Sequence, residues 1–460
     1  MPPKADTFRL QPMRSYYDCG ATKSYTFRIQ QLHLLKSSIL KYEKDINQAI
    51  YSDLKKSNEE VFAAETGLIL REINSTIKNL ARWMKPIPAK TNLINFPSSS
   101  KIVPQPKGVV LIISPWNYPF LLSFDPLIGA IAAGNCIVLK PSELAPASSA
   151  VMAKIIGESF ATTYIRVIEG DGHELVPSLM EQFHFDHIFY TGSTAVGKII
   201  YQLAANDLIP VTLELGGKSP AVVEADADIK TSARRIALGK FINAGQTCVA
   251  PDYLLVHQDI MEEFLNELKK YIKLFYGDNV KLSGDFGKII NEKRFDQILS
   301  YLSEGEIVTG GEYDRSKLYI SPTILTNLPP DAAVMQEEIF GPVLPVFGFQ
   351  SMEEALSLIH QHKNPLAFYL FTSSRSKENA WIEKVSFGGG CINNTIWHLS
   401  NSYLPFGGTG DSGIGAYHGK YSFNCFSHMK SVMKTPIWFD PDFKYPPYKG
   451  KLKWFRILYK

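Results

Sequence analysis

From residue 108 onward the chain repeats one pattern: a short apolar run rich in β-branched residues, then a stretch with helical spacing, then another apolar run. GVVLII (108–113), CIVLK (136–140), YIRVIE (164–169), DHIFYT (186–191) and VTLEL (211–215) are the first five such runs. Strands this apolar must be covered on both faces, and helices placed between them do the covering, so the pattern predicts a parallel, doubly wound sheet. A second α/β region begins near Ser219 with SPAVVEA, passes through DYLLVH (252–257) and runs to about 390. With 460 residues, 45% of them hydrophobic, the chain is long enough for two or three units of this kind.

Ahead of the pattern, Phe27, Leu32, Leu35, Ile39, Ile46 and Ile50 stand at helical spacing and predict a helix over 25–56. A second helix is expected from about 58 to 83, with Ser57 and Glu60 spaced as a capping box. The proline-rich stretch from Trp83 to Pro106 reads as an extended crossing segment.

Several functions are made improbable by composition. A net charge of +3 gives no electrostatic footprint for nucleic acid. Cys19, Cys136, Cys248, Cys391 and Cys425 are scattered, form no CxxC pair and suit a reducing, cytoplasmic setting. The opening MPPKADTFRLQPMR has no apolar core of the secretory type, and neither 109–124 nor 126–139 meets the roughly 20 apolar residues a membrane span needs. The body is expected to be soluble, and no metal is expected.

Chemistry concentrates in a few segments. A lone cysteine is usually a small buried hydrophobe. Cys248, in FINAGQTCVAP (241–251), instead follows a helical stretch that can end at Gly245–Gln246, where a loop can present a thiolate to a cleft. Glu214, in VTLELGGKSP (211–220), ends an apolar strand before Gly216–Gly217; a carboxylate in so dry a place has a raised pKa and suits a general base. Asn117, in SPWNYP (114–119), is either a turn residue or an amide donor to an oxyanion, a role worth roughly 3 kcal/mol of barrier. YTGSTAVGK (190–198) spaces Gly192 and Gly197 as GxxxxG rather than GxGxxG, so only its place between strand and helix favours a dinucleotide. In LKPSE (139–143), Lys140 could reach ribose or phosphate, and Glu143 could accept from a ribose hydroxyl. QEEIFGPV (336–343) has no placement from physics alone.

In order along the chain, PWNYP, LKPSE, TGSTAVG, LELGGKSP, GQTC, EEIFGPV and PFGG resemble the segments of the aldehyde dehydrogenase superfamily, over about residues 25 to 435. The 34-residue step from Glu214 to Cys248 (248 minus 214) agrees with that family. NAGQTCVAPDY and PFGGTGDSGIGAYHGKYSFNCFSH (405–428) resemble its class 3 branch, the dimeric fatty and aromatic aldehyde dehydrogenases.

The resemblance implies an α/β fold with a Rossmann-like NAD(P)-binding domain (1–82 and 104–214), a catalytic domain (215–393) and a small bridging and dimerisation element (83–103 and 394–433). It implies oxidation of medium- or long-chain aliphatic or aromatic aldehydes to acids. Cys248 would be the nucleophile, Glu214 the base for the deacylating water, and Asn117 with the Cys248 N–H the oxyanion hole. Trp116, Lys140, Glu143, Gly192, Ser193, Gly197, Glu338 and Phe340 would line the cofactor site, with NAD expected and NADP also admitted. Two rivals are an acylating enzyme that passes the acyl group to coenzyme A, which Glu214 argues against, and a silent structural protein of the crystallin kind, which retention of the chemical residues argues against.

Residues 434–460 leave the shared pattern. Seven basic residues stand against Asp440 and Asp442, interleaved with eight aromatics, and KLKWFRILYK (451–460) mixes cations with apolar side chains. Such a tail either packs its aromatics on the body or a dimer partner, or makes weak peripheral contact with an anionic membrane; it is too short and charged to span one.

Overall fold

In a computed structural model, which describes residues 8–329 and 331–459, two large sheets carry the apolar runs. The first seven residues of the chain and Lys460 lie outside the described residues, and with them part of the reading of each terminus.

The first sheet has six strands in the order Gly413–Ile414, Val211–Glu214, His187–Thr191, Val109–Ile113, Cys136–Lys140, Ile165–Val167. All pair in parallel except the two-residue strand at its edge, which runs antiparallel to Val211–Glu214. Strands 109–113, 136–140 and 187–191 are buried at every position, as strands covered on both faces must be. The second sheet has seven strands: Glu306–Thr309, Thr323–Thr326, Val343–Phe349, Tyr253–His257, Pro220–Val223, Ala367–Phe371 and Gly389–Ile392. Only the first of these is antiparallel to its neighbour.

The segment read as simply extended does more. Ile87–Ala89 and Ser99–Pro106 pair antiparallel, and Ser99–Pro106 pairs along its full length with Ser427–Lys434. A small three-stranded sheet thus joins two stretches more than 300 residues apart.

The expected helix over 25–56 is two helices, Tyr25–Lys41 and Glu43–Leu54. The break falls at Tyr42, whose ring turns inward. Its hydroxyl donates to Glu158, and Lys41 and Lys154 lie 4.5 and 4.8 Å from its centroid. The second stretch starts on the Ser57 hydroxyl, which accepts from the Glu60 N–H at 3.2 Å. The capping box is not completed, because the Glu60 carboxylate is taken by the Asn243 N–H across 183 residues of sequence. Within the same stretch Phe62–Thr66 is wound as one π-helical turn, and Glu65, which this turn contains, is fully buried.

No helix among the described residues is long and apolar enough to cross a membrane. The tail ends in the short helix Leu452–Leu458; Phe443, Trp454, Phe455 and Tyr448 contact one another there, with centroids 5.9 to 6.5 Å apart. Ile437, Trp438, Trp454 and Tyr459 remain exposed.

Candidate active site

Helix Ile229–Phe241 delivers the chain to a turn with an unusual backbone. Asn243, Ala244 and Gly245 have φ of 52°, 51° and 76°. The left-handed conformation costs a residue with a Cβ roughly 1–2 kcal/mol, so Asn243 and Ala244 need outside support. Gly245 needs its missing Cβ as well, since one would strike the Gly341 carbonyl. Gln246, fully buried, locks the end of the turn: its amide donates to Asn243 O (3.0 Å) and Lys288 O (2.9 Å) and accepts from Ile290 N (3.0 Å). Cys248 follows, half-buried, between two anchored neighbours. Thr247 Oγ1 is 2.7 Å from the Tyr118 hydroxyl, and Val249 O accepts from the Tyr369 hydroxyl at 2.6 Å.

Asn117 comes to this turn from the first sheet, in the loop after Val109–Ile113. It is buried, and its Nδ2 donates to Gln246 O at 3.0 Å. Its carbonyl accepts from Lys56 Nζ and Asn243 Nδ2, each at 2.8 Å. Lys56 forms an ion pair of 2.9 Å with Glu65, and both side chains are fully buried. Glu65 in turn accepts the Phe120 N–H at 2.9 Å, while Lys56 Nζ lies 3.8 Å from the Tyr118 centroid. Breaking a buried pair of this kind by removing one partner costs about 3–5 kcal/mol. Sequence reading missed Lys56 and Glu65. Lys56 lies in the link after helix Glu43–Leu54 and Glu65 in the π-helical turn, and no local pattern marks either.

Glu214 ends strand Val211–Glu214, buried, and neither carboxylate oxygen has a hydrogen-bond partner among the described residues. Burial pushes its carboxyl well above the usual carboxylate range. The Cys248 thiol is pushed up to about 12, first by burial and then by the charges of Glu338 and Glu214, so both carboxylates lie within electrostatic reach of it. The Glu338 carboxylate lies where a Cβ on Gly216 would be, and the Gly217 N–H bonds to it. Burial and Asp252 raise Glu338 to about 8, against the pull of Arg294 and Lys218.

The segment without a place in the sequence is held against the turn that carries Cys248, with the Gly341 carbonyl facing Gly245. Asp252 pairs with Lys218 and accepts the Ile339 N–H at 3.0 Å. Lys218 donates to Val334 O and Glu337 O, each at 2.9 Å, and Arg294 donates to Glu338 O at 3.0 Å. Phe340, at φ 47°, turns its ring edge-to-face onto Trp116 at 5.3 Å.

The remaining predicted residues lie at the carboxyl ends of the parallel strands, where ligands of open α/β sheets bind. Lys140 ends Cys136–Lys140 and pairs with Glu143, whose side chain is 41% exposed. Gly192 lies against the Tyr190 hydroxyl, and its N–H donates to Glu214 O at 3.0 Å. Ser193 caps helix Thr194–Asn206. A Cβ on Gly197 would be 2.6 Å from Leu215 Cδ2, so glycine lets that helix sit close on its strand. A helix N-terminus free of side-chain bulk, with Lys140 and Glu143 two strands away, suits a dinucleotide.

A cavity of about 790 Å3 reaches the start of the turn at Ile242 and is bounded also by Glu60, Ala63, Leu238, Tyr271 and Phe275.

The chain belongs to the aldehyde dehydrogenase family, whose sequence profile matches residues 21–432. It is 47% identical over 449 residues, 97% of each chain, to the 4,4'-diaponeurosporen-aldehyde dehydrogenase of Staphylococcus aureus. It is 45% identical to aldehyde dehydrogenase family 3 member H1 of Arabidopsis thaliana, over 97% of this chain and 93% of that one. A solved structure described as the substrate-bound state of Staphylococcus aureus AldH superposes with a TM-score of 0.95 at 46% identity, covering 98% of both chains. The protein is therefore an oxidoreductase acting on aldehydes, in a family that uses NAD(P).

Proposed function

We propose that the chain oxidises medium- or long-chain aliphatic or aromatic aldehydes to carboxylic acids through a thioester on Cys248. The observation that carries this reading is a half-buried thiol that feels a buried carboxylate, one without a hydrogen-bond partner among the described residues, and that follows a turn pinned by a buried amide. Cys248, its proton lost to solvent, attacks the aldehyde carbon as thiolate. The Asn117 side chain and the Cys248 N–H donate to the oxyanion that forms. Asn117 has two amide hydrogens, and its bond to Gln246 O occupies one of them. NAD, when bound, supplies the acceptor for the aldehyde hydride. Glu338 and Phe340 with Trp116 would hold its nicotinamide end, and Lys140, Glu143 and the Gly192–Gly197 turn the remainder. Glu214 then takes a proton from water, which releases the acid from sulfur. The six-stranded sheet serves as the cofactor domain, the seven-stranded sheet as the catalytic domain, and the three-stranded sheet as the bridging element. NADH production measured for a series of alkanals and benzaldehydes against both cofactors tests the reading and sets the chain length preferred.

NAD is the proposed cofactor. Glu143 sits badly beside a 2′-phosphate dianion, and it keeps 41% of its side chain exposed even while paired to Lys140. NAD is expected to give a kcat/KM at least equal to that of NADP, and Glu143→Gln to move the ratio toward NADP. A strong preference of the unaltered enzyme for NADP would refute the assignment.

The tail is proposed to cover its exposed aromatics against a second copy of the chain, alongside the bridging sheet of a homodimer. Four of its rings, Phe443, Tyr448, Trp454 and Phe455, already gather into one cluster, and Val432 and Met433 of the edge strand beside it are exposed too. Removing 434–460 is expected to weaken the dimer in sedimentation velocity. Anionic liposomes test the alternative. Each basic residue near such a surface contributes about 1 kcal/mol, so binding at low salt that is lost with the tail would assign it to a membrane instead.

A further inference from the structure

We propose that Glu60 is a positioning residue for the nucleophile: from the wall of the large cavity its carboxylate holds the left-handed turn that aims Cys248. The inference rests on Cys248 being the nucleophile.

Two observations meet at this residue. The first is the bond from Asn243 N to Glu60 Oε1, 3.1 Å long, made at the first residue of the left-handed run. Asn243 also holds Asn117 O (2.8 Å) and Gln246 O (3.1 Å) through its side-chain amide, so any movement of its backbone is felt by the oxyanion donor and by the residue two places before Cys248. Without an acceptor, this N–H would be left unpaired in a partly buried place, and the strained run would have one restraint fewer. A carboxylate is the stronger acceptor for it because the bond is charge-assisted. The second observation is that Glu60 and Ile242, which flank this bond, both line the cavity of about 790 Å3. Glu60 therefore connects the contents of the cavity to the geometry of the turn.

The ionisation of Glu60 falls in the range where the enzyme can be assayed. Burial raises its carboxyl to about 6, opposed by Lys56 and the Asn243 N–H and reinforced by Glu65 and Asp285. Tyr118 and Tyr276 also face it. Around the cavity stand Glu59, Lys230, Arg234 and Arg235. Protonation weakens the grip on Asn243, so the fraction of enzyme with a well-aimed thiol drops as the pH falls through about 6.

The test is the single-turnover burst of NADH as a function of pH for the unaltered enzyme, Glu60→Gln and Glu60→Ala. In the unaltered enzyme the burst rate should fall with the thiolate fraction and steepen further below about pH 6. The Gln variant keeps an acceptor that does not titrate, so it should hold close to the normal burst at neutral pH and lose the extra steepening. The Ala variant should slow the burst roughly tenfold or more, since small misplacements of reacting groups cost that much. Its KM for NAD should be unchanged. A normal burst in the Ala variant, or extra steepening retained in the Gln variant, would overturn the role of Glu60. Should the Ala variant fail to fold, the Gln profile alone decides. Failure of the underlying reading looks different, because it would show as NADH production by Cys248→Ala whatever stands at position 60.

Discussion

Cys248→Ala is expected to lower NADH production by at least about 10^4-fold while leaving NAD binding close to normal, because single removals of a covalent nucleophile cost that much or more in well-studied enzymes. The side chain is half-buried, and Thr247 and Val249 carry the anchoring bonds of the turn to Tyr118 and Tyr369. Removing one sulfur should therefore leave the turn in place. A thermal melt within a few degrees of the parent and an unchanged NAD titration by fluorescence would show that the loss is chemical. The other four cysteines give the control. Cys136 is fully buried in its strand, and Cys425 is half-buried with its thiol 3.1 Å from the Thr212 hydroxyl, so neither lies on the turn that carries Cys248. Turnover above a trace in Cys248→Ala would remove the thioester route.

The same turn shows how far sequence alone reaches. The parallel strands were legible because each is apolar on both faces and is followed by a helix, a local pattern that tertiary contacts reinforce. Cys248, Glu214 and Asn117 were legible as candidates because each sits where an element ends. What holds them was not. Glu60 matches a capping box by spacing, but its carboxylate turns instead to Asn243, 183 positions away. Lys56 and Glu65 look like ordinary charges on helices, and only the π-helical turn and the fold of the Asn117 loop show them as a buried pair. Gly341, in a segment with no placement from its sequence, gains a role only where its carbonyl faces Gly245. Each of these depends on a long-range contact whose two halves carry no shared local signal. The break at Tyr42 belongs with them, since the periodicity of the apolar residues runs through it undisturbed.

Glu214→Gln is expected to separate two phases that run together in the unaltered enzyme. On the proposed thioester route, attack by Cys248 and departure of the hydride use no proton transfer to Glu214, so the first burst of NADH should persist within a few-fold. Release of the acid needs an activated water, and positioned general bases contribute about 10^2–10^4-fold to such steps, so steady turnover should fall by that factor. The pH dependence has a definite sign. Burial holds the Glu214 carboxyl above its ordinary value, and the base form exists only above that raised value. Steady turnover should therefore climb with pH beyond the range in which an exposed glutamate has already ionised, and the climb should vanish in the Gln variant. Stability should move the other way. A carboxyl whose folded pKa is raised favours the folded state most below its unfolded pKa, about 4.3, and this contribution is lost as the pH rises through the folded value. With both oxygens buried and without a hydrogen-bond partner among the described residues, replacing the ionisable group by an amide of the same shape should leave the Tm at alkaline pH equal to or above that of the parent. Equal losses in burst and steady rate would move Glu214 to the acylation step, and a Tm that drops by several degrees would mean that the carboxylate is held by contacts the fold depends on.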